Sequence, residues 1–161
     1  MLTIPSSENN YYQEHVLIML ENLQRWTGRD LIEEYGFSLN KLGQQVFEAD
    51  FYILSHDRTP DPILNYGNQR VLELWEVSWA ELITMHSSTT AKSVDRADRA
   101  VMMDRVKMHN YLHGYHGVRI SRTGTEFKIL DGTIWNLFRE DRNFYGQAAW
   151  FKSIDRELKL S

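Results

Sequence analysis

The side chains best placed for chemistry in this chain are histidines. His109 and His113 stand four residues apart, and imidazoles at i and i+4 of a helix share a face on which they can hold a metal ion or haem iron. A histidine near a helix C-terminus also has a plainer use, because it interacts favourably with the last exposed carbonyls and the helix dipole. No third ligand stands nearby, so no metal site is assigned, and His116 is expected to begin the next strand. Ser55-His56-Asp57 has the residue types of a hydrolase triad, yet neighbours on a strand point to opposite faces and cannot bond in series. The acidic residues fall on charged helix faces and turns, and the sequence holds no paired-carboxylate site, phosphate-binding glycine loop or zinc motif. No catalytic residue is assigned; the enzymatic alternative is a general base at His109 or His113.

Composition narrows the classes further. The 161 residues contain no cysteine, which removes disulfides, thiolate metal ligands and a cysteine nucleophile and suits a reducing cytosol. A net charge of −4 argues against a general nucleic-acid binder, which needs excess Lys and Arg against phosphate. The N-terminus lacks the basic start and apolar stretch of a secretory signal, and no apolar run approaches a membrane span, so a cytoplasmic protein without membrane contact is expected. With 42% hydrophobic and 12% aromatic residues the chain can bury a core of its own.

These residues must be positioned by a recognisable series of elements. Tyr12, Val16, Met19, Leu20, Leu23 and Trp26 follow helical spacing, and the pattern predicts an amphipathic helix over 8–26 with a stop at Thr27-Gly28. Leu31, Ile32, Tyr35 and Phe37 suggest a helical turn, and Ser38 could cap a short helix burying Leu39, Leu42 and Val46. Two short strands are predicted at 51–56 and 63–66. Asn68 then caps a helix carrying Val71, Leu74 and Trp75, and Ser78 opens a capping box for the next one. A charged helix from about Asp95 to His109, with Asp95 and Arg99 spaced as an i,i+4 pair and a stop near Gly114, precedes three strands at 117–121, 126–138 and 144–152. Asp131-Gly132 reads as a bulge in one long bent strand rather than a separate hairpin turn. The economical division is an N-terminal helical extension, 1–50, packed on a domain at 51–155.

This order of elements is that of a PAS domain, an α+β fold whose five-stranded antiparallel sheet is covered by helices. Asp61-Pro62-Ile63-Leu64-Asn65-Tyr66-Gly67-Asn68 followed by Val71-Leu72-Glu73-Leu74-Trp75 resembles the PAS passage in which a strand ends in a helix-starting Asn. More narrowly, Leu64 to Glu76 and Gly117-Val118-Arg119-Ile120-Ser121 through Ile134-Trp135-Asn136-Leu137 resemble the MEKHLA family, a PAS-related group, over about Gln13 to Asp155. The resemblance implies a stand-alone bacterial or plastid-lineage protein with a sensory or interaction role, related to the C-terminal domain of class III homeodomain leucine-zipper factors in plants. The literal Met-Glu-Lys-His-Leu-Ala string does not occur here. Flavin-cysteinyl photochemistry is excluded, because Cys is absent and Gln147 directly follows Gly146 instead of standing two positions beyond it.

A cavity against the sheet is the expected site. Gly146 and Ala148 are small residues on one face of the last strand, and they either leave room for a ligand or admit Trp135 and Trp150. The candidate lining is Met102, Val106, His109, Ile120, Phe127, Trp135, Ala148 and Trp150. Arg119, Arg122 and Lys128 could present a positive patch, or simply a solvated surface. Val16, Leu23 and Trp26 could pair two protomers as a homodimer through the first helix or pack back on its own sheet. The leading expectation is a sensory or protein-interaction module receiving a small ligand or a protein partner; a ligand-free structural homo-oligomer is a further alternative.

Overall fold

Runs rich in β-branched and aromatic residues make the strands. The computed structural model describes residues 1–91 and 96–157, and all their side chains except those of residues 96 and 97. β1 (Tyr52–His56) and β2 (Leu64–Gly67) pair first, and β3 (Tyr111–Ile120), β4 (Glu126–Phe138) and β5 (Phe144–Phe151) form a meander, all antiparallel. β5 also pairs with β1, giving the order β2-β1-β5-β4-β3. The five expected strands gain a sixth, β6 (Ser153–Asp155), which continues along the same edge of β4 after Lys152.

β4 is continuous through Asp131-Gly132. β3 carries one extra residue between Leu112 and Tyr115, and β4 carries one between Ile129 and Gly132. Left-handed backbone occurs in both places, at Gly114 (φ 73°) and Asp131 (φ 50°). The two bulges cancel, so Tyr111↔Trp135 on one side and Gly117↔Ile129 on the other keep the same register.

The helices are α1 (Gln13–Thr27), α2 (Leu31–Tyr35), α3 (Leu42–Phe47), α4 (Gln69–Trp75), α5 (Trp79–Leu82) and α6 (Arg96–His109). Several sequence expectations are corrected, among them the strand expected at 117–121, which begins at Tyr111. The first helix does not begin at residue 8: Ser7–Tyr12 is a 3-10 segment with left-handed backbone at Asn10, Tyr11 and Tyr12. Ser38 makes no side-chain cap, and Leu39 is 63% exposed in a 3-10 turn, while Leu42 and Val46 are fully buried. The charged helix stops at His109 rather than Gly114, because Asn110 takes the left-handed conformation (φ 69°) that Asn tolerates, its N–H donating to Val106 O at 2.7 Å. His113 therefore stands on β3. The expected Asp95–Arg99 pair lies outside the described residues.

Both faces of the sheet are covered. α1 crosses one face and bonds to it at four points spaced as one helical stripe: His15, Met19, Asn22 and Trp26. Met19 O accepts from Trp135 Nε1 (2.9 Å), Asn22 exchanges side-chain bonds with both backbone groups of Phe138, and Trp26 Nε1 donates to Asn136 O (3.0 Å). His15 contacts Tyr145 OH through Nδ1 and Ser55 Oγ through Nε2, both at 2.8 Å. Ser55 donates its hydrogen to Asn65 Oδ1 (2.6 Å), so it accepts from His15 Nε2–H, and Nδ1 in turn accepts from Tyr145. Burial pushes the His15 pKa down to about 4 and keeps the ring neutral.

α4 and α6 cover the opposite face, with α5 at the β2 edge. Asn68 locks the start of α4: Oδ1 accepts from Val71 N and Ile53 N, and Nδ2 donates to Val46 O and Phe51 O. Replacing Asn68 by Ala should cost more than the roughly 1 kcal/mol of an ordinary N-cap, about 2–4 kcal/mol by urea denaturation, because two buried carbonyls lose their donor as well. Asn68→Asp should restore the cap alone and remain destabilised; wild-type stability in either variant contradicts this role.

His15 predicts a pH effect of definite sign. Its folded pKa, about 4, lies below the ordinary 6.5, so on acidification the unfolded chain takes up a proton first and stability falls from pH 6.5 toward 4. At about 1.4 kcal/mol per pKa unit the loss is roughly 3 kcal/mol. His15→Gln should be less stable at pH 7 and show a correspondingly flatter decline; parallel wild-type and variant curves would contradict a buried neutral imidazole.

Candidate functional site

Alternation along the strands decides which side chains meet α4 and α6. Leu54, Ala149 and Ile134 stand in register across β1, β5 and β4, and turn to that face. The paired bulges bring Tyr115 and Ile129 onto it as well, although strict alternation from Leu112 and Ile134 would turn both away. With Trp75 of α4, Arg99 and Met103 of α6, and Ser87 and Thr90 of the 3-10 turn Ser87–Thr90, they enclose a cavity of about 40 Å³, room for a few water molecules. A groove of about 220 Å³ on the outside, between α6 and β3, is lined by Asp98, Met102, His116 and Lys128 and shares Arg99 and Tyr115 with the cavity.

The polar part of the wall is cationic. Arg119, only 8% exposed, donates through Nη1 to Thr90 Oγ1 (3.3 Å) and through Nη2 to Tyr115 OH. Arg99 Nη2 donates to Ser87 Oγ (3.1 Å), while Arg99 Nε is shielded from solvent without a partner. Trp75 Nε1 is a second donor in that condition. His56 bonds through Nδ1 to its neighbour's carbonyl, Asp57 O (2.8 Å), which places the hydrogen on Nδ1. Burial lowers the His56 pKa, and the nearby positive charge of Arg99 acts in the same direction against the opposing Asp57 bond.

Gln147 connects this cavity to the helices. Its Nε2 donates to Asn136 Oδ1 (3.2 Å), and Asn136 Nδ2 donates to Val106 O and Asn110 Oδ1 at the end of α6. The backbone carbonyl of the same Asn136 accepts from Trp26 of α1. One residue thus touches the cavity wall, α6 and α1.

Of the eight residues expected to line the cavity, Ala148 borders it and Met102 lines the outer groove. Val106 is fully buried on α6, Phe127 packs edge-on against Trp75 with ring centres 5.0 Å apart, and Ile120 is half-buried at the end of β3. Trp135 and Trp150 lie on the opposite face, where Trp135 bonds α1 and Trp150 packs against Phe51 and beneath Arg29. His109 is exposed and His113 belongs to another element, so the helical pair that would hold haem or a metal is not formed. Among the described residues no group of three metal-ligating side chains occurs, and no helix is long and apolar enough to cross a membrane.

The expected positive patch is also rearranged: Arg119 turns inward, Arg122 pairs with Glu81, and Lys128 borders the outer groove. Val16 and Leu23 are fully buried against the chain's own sheet, so they offer no surface to a second protomer while α1 stays docked. Sequence reasoning placed neither Arg99 nor Tyr115 at the cavity, and it gave Arg119 to a positive patch rather than to the cavity wall. Pairing offered a signal for Arg119, since its partner Phe127 is an inward apolar residue and paired residues share a face.

Known structures repeat this architecture at low identity. A PAS domain of a protein from Colwellia psychrerythraea superposes with a TM-score of 0.57 at 12% identity, covering 75% of this chain and 94% of that one. A light-oxygen-voltage domain studied with a flavin analogue gives 0.57 at 14%, covering 68% and 81%. A PAS domain from a two-component sensor histidine kinase gives 0.52 at 16%, covering 66% and 87%. A comparison with curated proteins finds no match. The MEKHLA domain model matches residues 13–155, from the first residue of α1 to the last of β6, and the chain therefore belongs to the MEKHLA domain family.

Proposed function

We propose that the protein is a cytoplasmic sensory module that receives a small molecule between its sheet and α6 and reports it through a change in how α6 and α1 sit on the sheet. One observation carries the reading: Gln147 on the cavity wall bonds Asn136, which in turn bonds α6 by its side chain and α1 by its backbone. The PAS-like fold supports it, since such a sheet with a helix over one face can enclose a ligand. The cavity is small, so binding requires α6 to move outward. Val106 is the sole fully buried residue among that helix's described side chains, and α6 is therefore lightly held against the sheet. A ligand that binds the opened arrangement better shifts the population toward it, and the strain reaches Trp26 through Asn136.

Neither exposed His109 nor strand-borne His113 lines this cavity, so the enzymatic alternative gains no support from it. We read residues 1–50 as the extension whose helix α1 carries the output, and a protein partner as its receiver.

The test is native mass spectrometry of protein purified from its own host, followed by NMR titration of the full chain. A small-molecule adduct should be released on denaturation. Restoring it should move the backbone amides of Tyr115 and Gln147 together with the Trp26 indole N–H, and Asn136→Ala should leave the cavity shifts while removing the Trp26 shift. Ligands and partners that never perturb residues on this face of the sheet would overturn the reading.

A further inference from the structure

We propose that the molecule received is a small organic anion, a carboxylate or phosphate head on an apolar body, and that Arg99 takes the head. The inference rests on the sensory reading and names the chemistry of its ligand. Charge comes first: the described residues lining the cavity include two arginines and no aspartate or glutamate. A cation removed from water is stabilised by an opposite charge or by hydrogen bonds to its donors. Arg119 is anchored by Thr90 and Tyr115, whereas Arg99 has a half-buried side chain and, among the described residues, one side-chain bond, to Ser87.

The inventory of donors points the same way. Arg99 Nε and Trp75 Nε1 are shielded from water without partners, and both residues line the cavity. An unmet buried donor forfeits its hydrogen bond to water, and each of these lacks an acceptor. An oxyanion supplies acceptors and counter-charge together, and the planar guanidinium can grip two of its oxygens at once through Nε and an Nη. A neutral apolar guest would leave both donors unmet.

The rest of the wall sets the body of the ligand. Leu54, Leu64, Met103, Ile129 and Ile134 are apolar, so a bare inorganic ion would meet a mostly apolar wall that an apolar body satisfies better. Arg99 also lines the outer groove, whose rim includes Lys128 and His116 as well as Asp98. An anion arriving along that groove therefore meets Arg99 before it reaches the apolar wall, and admitting the body requires the same outward movement of α6.

The experiment titrates the full-length protein with hexanoate, hexyl phosphate and neutral hexanamide by calorimetry, with amide shifts of Tyr115 and Gln147 as the local readout. At least one anion should bind at the cavity, with hexanamide weaker by about tenfold or more. Arg99→Met should weaken the anion by about ten- to hundredfold and leave hexanamide nearly unchanged. Arg99→Lys, which keeps the charge but loses the fork, should fall between, and it carries the test if the methionine variant melts early. Competition between hexanoate and hexyl phosphate identifies the preferred head. If hexanamide binds as well as both anions, or if both Arg99 variants bind anions like wild type, the anion assignment is overturned while a ligand-receiving cavity stands. If none of the three probes moves the cavity amides, the anion assignment is overturned, and an adduct of other chemistry from the host would be needed to keep the sensory reading.

Discussion

A twisted sheet with apolar side chains on both faces is stable only when both are covered, and the molecule is organised by how the second face is closed. α1 closes it with more than apolar contact. Its stripe of His15, Met19, Asn22 and Trp26 makes hydrogen bonds with β1, β4 and β5, and those bonds fix where along the sheet the helix lies. A purely apolar helix could slide by a turn at little loss, whereas sliding this one would strand a buried imidazole, a buried carboxamide and two indole N–H groups. With α1 so fixed, Trp135 and Trp150 are committed to its side of the sheet, and the other face is left to α4, α6 and the cavity.

Buried polarity takes two forms here, although unmet donors are not confined to the α6 side, since Trp150 Nε1 lacks a partner as well. On the α1 side each group of the His15 network has a partner, in a chain whose donor directions follow from one another, and the result is rigid. On the α6 side the polar groups are donors in excess, with Arg99 Nε and Trp75 Nε1 unmet. Satisfied networks specify a structure; unsatisfied ones on a cavity wall mark where something else is accommodated. Asn136 stands between the two regions and bonds to both.

Much of this fold was legible in the sequence. β4 was read with its observed ends because β-rich patterning and flanking polar turns agree there, and Asn68 and Ser78 announced their helices by cap chemistry. The MEKHLA resemblance was legible in the same stretches. What was illegible depended on tertiary context. Asn110 ends α6 because its backbone carbonyl and side chain meet Asn136, twenty-six residues away, whereas Gly114 looked the better stop by local preference. The cavity was assigned to the wrong face for Trp135 and Trp150 because alternation sorts residues into two sets without saying which helix covers which. Arg99 was read as half of an i,i+4 pair and Arg119 as part of a positive patch because arginine is ordinarily a surface residue, and only the sheet register brings Arg119 inward.

The paired bulges in β3 and β4 carry an evolutionary consequence. One added residue on each strand leaves the hairpin's ends aligned as though nothing had been added, yet between them the facing of Tyr115 and Ile129 is reversed. Loss of either extra residue alone would throw one arm of the hairpin out of step with its neighbour, turning core side chains toward water. Such a length change is tolerable only when both strands undergo it together, so the pair should be inherited or lost as a unit, and with it the tyrosine that steadies Arg119.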